Sequence, residues 1–265
     1  MNIIHGKTAL VTGAASGIGR AIALGLAREG ANLFIVDKDV PGLESARREI
    51  KAIGARCETA VCDLSKPAEI ESLIQFYCVS GEHLDILVNG AGIGFHGHVE
   101  DMTDDQWQTL IAVNLQAPIQ LIRGFLPKMI ARSEAHIVNI ASLAGLVAGR
   151  KTAAYQTSKF GLVGFTMAMR AEFSSRGIGV TAICPGIVHT PMVDQLIPGK
   201  FNRLRHFRGT AWTTANVVAT KSITAIRKDK GIVVITPLAK IMWWLSRLSP
   251  SFVMWLARSH RRDAA

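Results

Sequence analysis

Tyr155 and Lys159 stand four residues apart in the run Tyr155-Gln156-Thr157-Ser158-Lys159. On a helix that spacing puts a phenol and an ammonium on one face, about one turn apart. A phenol ordinarily ionises near pH 10, too high for base work at neutral pH. A cation roughly 4 Å away, at an effective dielectric near 20, favours the phenolate by about 4 kcal/mol, or about three pH units before desolvation opposes it. That is the adjustment a proton-transfer catalyst needs. The other tyrosine, Tyr77, has no lysine or arginine near it in the sequence. A Tyr and a Lys at this spacing occur on many helices, so the surroundings of the pair decide its meaning.

Near the start of the chain, Thr12-Gly13-Ala14-Ala15-Ser16-Gly17-Ile18-Gly19 follows an apolar run. Three glycines at this spacing allow a tight turn, close backbone approach to a pyrophosphate and tight packing of the next helix. The helix N-terminus then offers free amides to the phosphates. Asp37 comes eighteen residues after Gly19 and ends the next strand-like run. A carboxylate there accepts hydrogen bonds from the adenosine ribose and repels a 2′-phosphate. Position 16 is serine rather than basic, so the sequence favours NAD over NADP, with Lys38 and Arg20 as the available phosphate partners.

Holding these groups together requires strands that end where the loops begin. Strand-like runs fall at 8–12, 32–36, 56–61, 86–89, 136–140, 179–183 and 231–235. Amphipathic segments fit between them at 18–29, 41–53, 67–77, 104–131 and 154–175. This alternation predicts an α/β fold: a Rossmann-like doubly wound parallel sheet of about seven strands, in a single domain over 1–237. A basic, Trp-rich amphipathic extension over 238–265 completes the chain.

With 265 residues, 49% of them hydrophobic, the chain suits one large packed domain. Its four cysteines show no paired or CxxC spacing and read as buried thiols in a reducing compartment. No apolar segment precedes the first strand, so a cytoplasmic protein is expected. Residues 200–265 hold 13 basic and 2 acidic side chains, so the overall charge of +10 belongs to the last quarter. No nucleic-acid motif accompanies that charge, and no nucleic-acid partner is expected.

The motifs together resemble the short-chain dehydrogenase/reductase family over roughly residues 5–195, and more loosely to 237. They match in order: the Thr12–Gly19 turn, Cys62-Asp63-Leu64, Asn89-Gly90-Ala91-Gly92, Asn114, Ser142, Tyr155-x-x-x-Lys159 and Pro185-Gly186. Gly90 departs from the family's usual second Asn, at the expected cost of a sheet-stabilising hydrogen bond. The resemblance implies that Tyr155 exchanges the substrate's hydroxyl proton, and that Lys159 lowers the Tyr155 pKa and holds the nicotinamide ribose. It implies that Ser142 bonds the substrate oxygen and that Asn114 positions a water linking Lys159 to solvent. Asp63 and Leu64 would meet the adenine. Asn89, Ala91 and Gly92 would line the cofactor wall, Pro185, Gly186 and Val188 would lie against the cofactor, and Thr190 would hold its carboxamide. A homodimer or homotetramer packed through 104–131 and 154–175 is also implied.

Considered singly, Ser142 also suits a turn-capping serine, and Asn114 a helix-surface or capping residue. His96-Gly97-His98 lacks a third ligand, so no metal is expected; His96 reads instead as part of a substrate wall. Ser142 is not set in the G-x-S-x-G elbow of a hydrolase. The segment 187–211 reads as a substrate loop, with Met192, Val193, Leu196, Ile197, Phe201 and Phe207 among basic residues Lys200, Arg203, Arg205 and Arg208. The arginines suit either a substrate carboxylate or a solvated face. In the extension, Leu238 to Arg258 carries three of the five tryptophans, with Lys240, Arg247, Ser251 and Arg258 on one helical stripe. Pro250 divides it. It suits a helix lying in a membrane surface, a lid over the pocket, or a face packed on another subunit. The reading is an NAD-dependent dehydrogenase of a lipophilic alcohol (steroid, terpenoid, retinoid or long-chain type). Its rivals are an NADP-dependent carbonyl or oxoacyl thioester reductase and a non-catalytic dinucleotide-binding membrane adaptor.

Overall fold

Strand β1 (Thr8–Thr12) shows how the sheet is built: Ala9 and Val11 join one buried apolar layer and Leu10 the other. This is the two-residue alternation of a strand, and both faces are covered, so the run reads as continuously apolar. The computed structural model describes residues 1–132, 134–196 and 212–259, with the backbone path alone at Gln195 and 256–259. Six more strands follow: β2 (Asn32–Asp37), β3 (Cys57–Val61), β4 (Ile86–Asn89), β5 (Ala135–Ile140), β6 (Ile178–Pro185) and, last in the chain, β9 (Ile232–Ile235). They form a parallel seven-stranded sheet in the order β3-β2-β1-β4-β5-β6-β9. A short parallel pair, β7 (Ile187–His189) with β8 (Trp212–Thr214), stands apart and was not foreseen. It brackets the expected substrate loop, which begins with the short helix α7 (Pro191–Leu196) and whose residues Ile197, Lys200, Phe201, Arg203, Arg205, Phe207 and Arg208 lie outside the described residues.

Helices α1 (Gly17–Arg28), α2 (Val40–Ala52) and α8 (Ala215–Arg227) pack Ile22, Leu26, Ile50 and Ile226 against one face of the sheet. On the other face α3 (Pro67–Val79), α5 (Ala117–Ile130) and α6 (Ala153–Phe173) bury Ile70, Tyr77, Leu121, Phe125 and Phe173. The segment read as one helix over 104–131 is continuous but not uniform. After α4 (Asp104–Ile111) it widens into a π-helical turn, Ala112–Gln116, before α5. Pro118 has no N–H to return to the carbonyl of Asn114, which loosens the ladder there. This helix is apolar and long enough to cross a membrane, but it supplies Leu121, Ile122 and Phe125 to the core. Of the four free cysteines, Cys57, Cys62 and Cys184 are buried while Cys78 is only partly so.

Tyr77 is not remote from cations as its sequence neighbourhood suggested. Lys128, from α5, places its ammonium 5.9 Å from the ring centroid. The Tyr77 hydroxyl donates to the His83 carbonyl at 2.8 Å, and burial pushes the phenol far above its ordinary range. It serves as a core anchor.

His136 on β5 makes a testable stability device. Its Nε2 meets the Thr181 hydroxyl at 2.8 Å, and Thr181 donates its own proton to the Lys230 carbonyl. Nε2 therefore carries the hydrogen, and Nδ1 faces Asp229 at 4.0 Å, a carboxylate held by Arg170. Burial outweighs Asp229 and pushes the His136 pKa down to about 4. The unfolded imidazole titrates near pH 6.5, so below that pH the unfolded state binds the extra proton. Stability is full above that pH and is lost as pH falls toward the folded value. About 3 kcal/mol is expected to disappear over this window. Urea unfolding at a series of pH values, for the chain and for His136→Gln, checks this; the variant's profile should be flatter.

Candidate active site

The strand order reverses between β1 and β4, and a crevice opens at their carboxyl ends, where open α/β sheets hold ligands. Thr12 stitches the two strand ends: its hydroxyl donates to the Val88 carbonyl and accepts from the amides of Gly90 and Ala91. Gly13 has φ +69°, and a Cβ there would stand 2.6 Å from the Ala91 backbone. A Cβ on Gly19 would stand 2.2 Å from the Gly13 carbonyl oxygen. These two glycines let backbone pack on backbone. Gly17, at φ +56°, faces Thr190 across the crevice.

Ser16 precedes α1 in extended conformation and makes no side-chain cap. The first-turn amides of that helix are thus left for a ligand. Asp37 ends β2 and accepts from the amides of Ala15 (3.0 Å) and Asp39 (3.1 Å). A carboxylate has about four acceptor positions, so two remain for hydroxyls. Arg20, one of the two expected phosphate partners, is turned away: its guanidinium bonds the Ala15 carbonyl, Ser45 and Glu49. Lys38 borders the crevice and stands 3.7 Å from Asp63. Hydrogen bonds from Ser65 hold the Asp63 carboxyl below its ordinary range.

The cavity these residues enclose measures about 560 Å³, within the range of small-molecule and cofactor sites. Gly13, Ser16, Gly17, Ile18 and Gly19 line it with Asp37, Asp63 and Leu64. Ala91 and Gly92 form one wall, and Pro185, Gly186, Val188 and Thr190 another. Ser142, Tyr155 and Lys159 face the same space, with His96, Met192 and Leu196 beyond them. Residues from positions 13 to 196 converge on one cavity, and of those expected on its wall Asn89 is the correction.

Asn89 does not line the wall. It is buried at the end of β4, where its amide nitrogen donates to Asn139 Oδ1 at 2.8 Å, and Asn139 donates in turn to Thr166. The relay ties β4, β5 and α6 together. Asn114, in the π turn, also stands behind the wall. It bonds both the amide and the carbonyl of Ile93 at 2.8 Å, and donates to Ser158. A Cβ built on Gly92 would lie 3.3 Å from Asn114 Oδ1 and 3.5 Å from Lys159 Nζ, so both side chains converge there. Asn114→Ala would strand the Ile93 amide and carbonyl, at a cost of about 2–3 kcal/mol. Chemical denaturation measures that loss, and cofactor titration should show weaker binding as the Gly92 wall relaxes. Gly90 also needs rereading. Its amide bonds Thr12 and Val88, and a side chain there would meet the Thr12 carbonyl at 2.6 Å.

Ser142 caps a turn, one of the two roles considered for it, and lies beside Tyr155. Its hydroxyl accepts from the Ala144 amide at 3.1 Å, capping a short turn, and it hydrogen-bonds the Tyr155 phenol. The expected Tyr155–Lys159 electrostatics take a different form. The Lys159 ammonium lies 5.7 Å from the ring centroid of Tyr155 and donates to the Ile140 carbonyl at 2.9 Å. Burial pushes the Tyr155 phenol above its ordinary range, and the Ser142 hydrogen bond draws it only partly back. Burial also pushes Lys159 down to about 8. Desolvation thus outweighs the attraction that the spacing suggested.

Several wall residues escaped the sequence reading. Phe95 adjoins His96, and Thr152 is the residue just before α6, three positions ahead of Tyr155. Val113, Ile187 and Pro191 also line the apolar side, with Val193 of the expected substrate loop. Cys184 lies behind the wall, bonded by the Ser142 amide and pushed up to about 12 by burial, which leaves it inert. Gln156 clamps Gly149 through both its amide and its carbonyl.

Comparison with known proteins agrees with this geometry. The family described as short chain dehydrogenase matches residues 7–200. D-beta-hydroxybutyrate dehydrogenase of Cupriavidus necator is 38% identical over 200 residues, covering 75% of this chain and 77% of that protein. A putative NAD(P)-dependent gluconate 5-dehydrogenase from Beutenbergia cavernae, solved with NADP, superposes with a TM-score of 0.81 at 32% identity, over 89% of this chain and 98% of that one. A short-chain dehydrogenase/reductase from Burkholderia phymatum, in complex with NAD, gives 0.84 at 25% identity over the full length of both chains. The glycine turn, the uncapped helix end and the carboxylate of β2 fit a nicotinamide dinucleotide. The chain belongs to the short-chain dehydrogenase/reductase family and is an NAD(P)-dependent oxidoreductase.

Proposed function

We propose that the protein uses NAD to interconvert a lipophilic alcohol and its carbonyl, with Tyr155 as the acid and base. The observation that carries the substrate side is the cavity lining outside the dinucleotide motifs, where Phe95, Val113, Ile187, Met192, Val193 and Leu196 outnumber polar Thr152 and His96. The ammonium groups among the described lining residues are engaged, Lys38 with Asp63 and Lys159 with the Ile140 carbonyl. A substrate carboxylate would therefore compete for them. Asp37 on the wall, with Arg20 held elsewhere, supports NAD over NADP and hence the oxidising direction.

In this reading the bound nicotinamide supplies the hydride acceptor. Tyr155 takes the hydroxyl proton, Ser142 orients the reacting oxygen, and Lys159 holds the ribose. Asn114 supports a water behind Lys159, and Thr190 holds the carboxamide. Asp63 and Leu64 border the adenine. Assembly as a dimer or tetramer would use the outer faces of α4, α5 and α6, where Phe160 and Met167 are exposed.

A second reading, a small hydroxy acid, is favoured by the hydroxybutyrate dehydrogenase relative; Arg203, Arg205 or Arg208 would then meet the carboxylate. Initial rates with NAD⁺ and NADP⁺ against sterol, terpenoid, retinoid and small hydroxy-acid substrates separate the readings. NAD⁺-dependent turnover of the bulky apolar alcohols is expected. Turnover confined to hydroxy acids, or a clear NADP⁺ preference, would replace the first reading.

A further inference from the structure

We propose that the two C-terminal helices, α9 (Pro237–Leu248) and α10 (Pro250–Ser259), are an amphipathic platform that seats the protein on an anionic lipid bilayer. The inference does not depend on which alcohol is oxidised.

Pro250 splits the extension, as its sequence requires, and each helix then divides its surface. The inner side of α9 is anchored: Ala239 is buried with Ala141, Cys184 and Val234, and Trp243, Leu143 and Leu146 pack against them. The outer side is apolar and open. Leu238, Ile241, Trp244 and Leu248 recur at helical spacing, with Trp244 63% and Leu248 70% exposed. The next helix repeats the division. Val253 is buried while Phe252, Met254 and Trp255 are exposed, with Phe252 and Trp255 stacked 6.0 Å apart. A contiguous apolar surface of this kind marks an interaction site.

Charge selects the partner. Lys240 and Arg247 are exposed beside the apolar stripe, and residues 237–259 contain no acidic side chain. The last 66 residues carry 13 basic and 2 acidic groups. A two-fold contact between copies presses the same patch against itself. Lys240 and Arg247 would then meet their own copies with no carboxylate from the platform between them. Anionic headgroups satisfy the same cations, and tryptophans at the level of the headgroups match the aromatic preference of that zone.

Geometry sets the mode of contact. Twelve helical residues in α9 extend about 18 Å, short of the roughly 30 Å hydrocarbon core, so the helix lies in the membrane plane. Among the described side chains of 237–255, none lines the cavity. The platform's position nevertheless matters to the site. The helix springs from β9, whose Ile235 carbonyl accepts from the amide of cavity-lining Gly186. Thr236, at φ +88°, makes the turn and caps the helix by accepting from the Ala239 amide. Docking would therefore hold the cavity's edge of the sheet at the lipid surface, where apolar alcohols concentrate.

The test is sedimentation of the full chain with vesicles of phosphatidylcholine, with and without phosphatidylglycerol, at low and high salt. Binding at least about tenfold tighter to the anionic vesicles is expected. Part of it should survive high salt through the inserted stripe. Replacing Lys240 and Arg247 together by Gln should weaken binding about fivefold for each charge. Replacing Trp244 and Trp255 by Ser should remove the salt-resistant part. These side chains are exposed, so thermal melting of each variant should match the parent. Failure of the parent protein to sediment with anionic vesicles would overturn the proposal. So would a Trp244→Ser, Trp255→Ser variant that leaves vesicle binding intact but lowers the protein's own assembly state, which would make the stripe an interface between copies.

Discussion

Tyr155→Phe is expected to lower turnover by about 10²–10⁴-fold while leaving the affinity for the dinucleotide nearly unchanged. The ring stays, so the packing at the start of α6 stays with it. The hydroxyl that bonds Ser142 and stands over the cavity is lost. Lys159 keeps its own anchor on the Ile140 carbonyl, so the group proposed to hold the ribose does not move. Initial rates and cofactor titration, run on both proteins, separate the two effects. A variant that lost cofactor binding and turnover together would assign Tyr155 a structural role instead. A variant that kept both would support a non-catalytic dinucleotide-binding protein.

The pH profile follows from the same environment. Burial holds the Tyr155 phenol above its ordinary range, so little of it is ionised near neutrality. Alcohol oxidation needs the phenolate, and kcat/KM in that direction should rise with pH into the alkaline range. Carbonyl reduction needs the neutral phenol and should fall over the same interval. The Phe variant should lose this dependence in both directions.

Asp37→Asn is expected to shift the ratio of kcat/KM for NAD⁺ over NADP⁺ by about hundredfold toward NADP⁺. Asparagine retains an acceptor for the Ala15 amide, so the glycine-rich turn keeps its brace. What it removes is the charge, together with the second oxygen that accepts from the Asp39 amide. Charge-assisted bonds to the ribose hydroxyls weaken by about 1.5–3 kcal/mol, and repulsion of a 2′-phosphate is relieved. Lys38, which lines the cavity and stands 3.7 Å from Asp63, is the ammonium available to meet that phosphate; Arg20 remains bound to Glu49 and Ser45. Steady-state kinetics with both cofactors reads the ratio directly. An unchanged ratio would show that the carboxylate braces the turn and does not choose the cofactor.

Much of this site was legible because its signals are local. The glycine spacing fixes a turn and a helix start through backbone sterics alone, and the four-residue spacing of Tyr155 and Lys159 fixes a common helical face. The alternation of apolar runs with amphipathic segments fixed which pieces are strands, to within a residue or two at most ends. Pro250 ended one C-terminal helix where its missing amide required.

What was misread depended on partners distant in the sequence. Asn89 was expected on the cofactor wall, but β5 lies beside β4 and offers Asn139 as its partner, fifty positions away. Tyr77 gained Lys128 because α3 packs on α5. The Lys159 ammonium, one turn from Tyr155 by spacing, reaches past it to the Ile140 carbonyl because β5 ends beneath α6. Its distance and desolvation, not the spacing, set the phenol's proton affinity. The sequence by itself determined most of the elements, the glycine-rich turn and the spacing of Tyr155 and Lys159, since each is encoded by a few adjacent residues. The tertiary structure alone decided which side chains face the cavity and which brace it, because that depends on strand order and burial, which no short window of sequence contains.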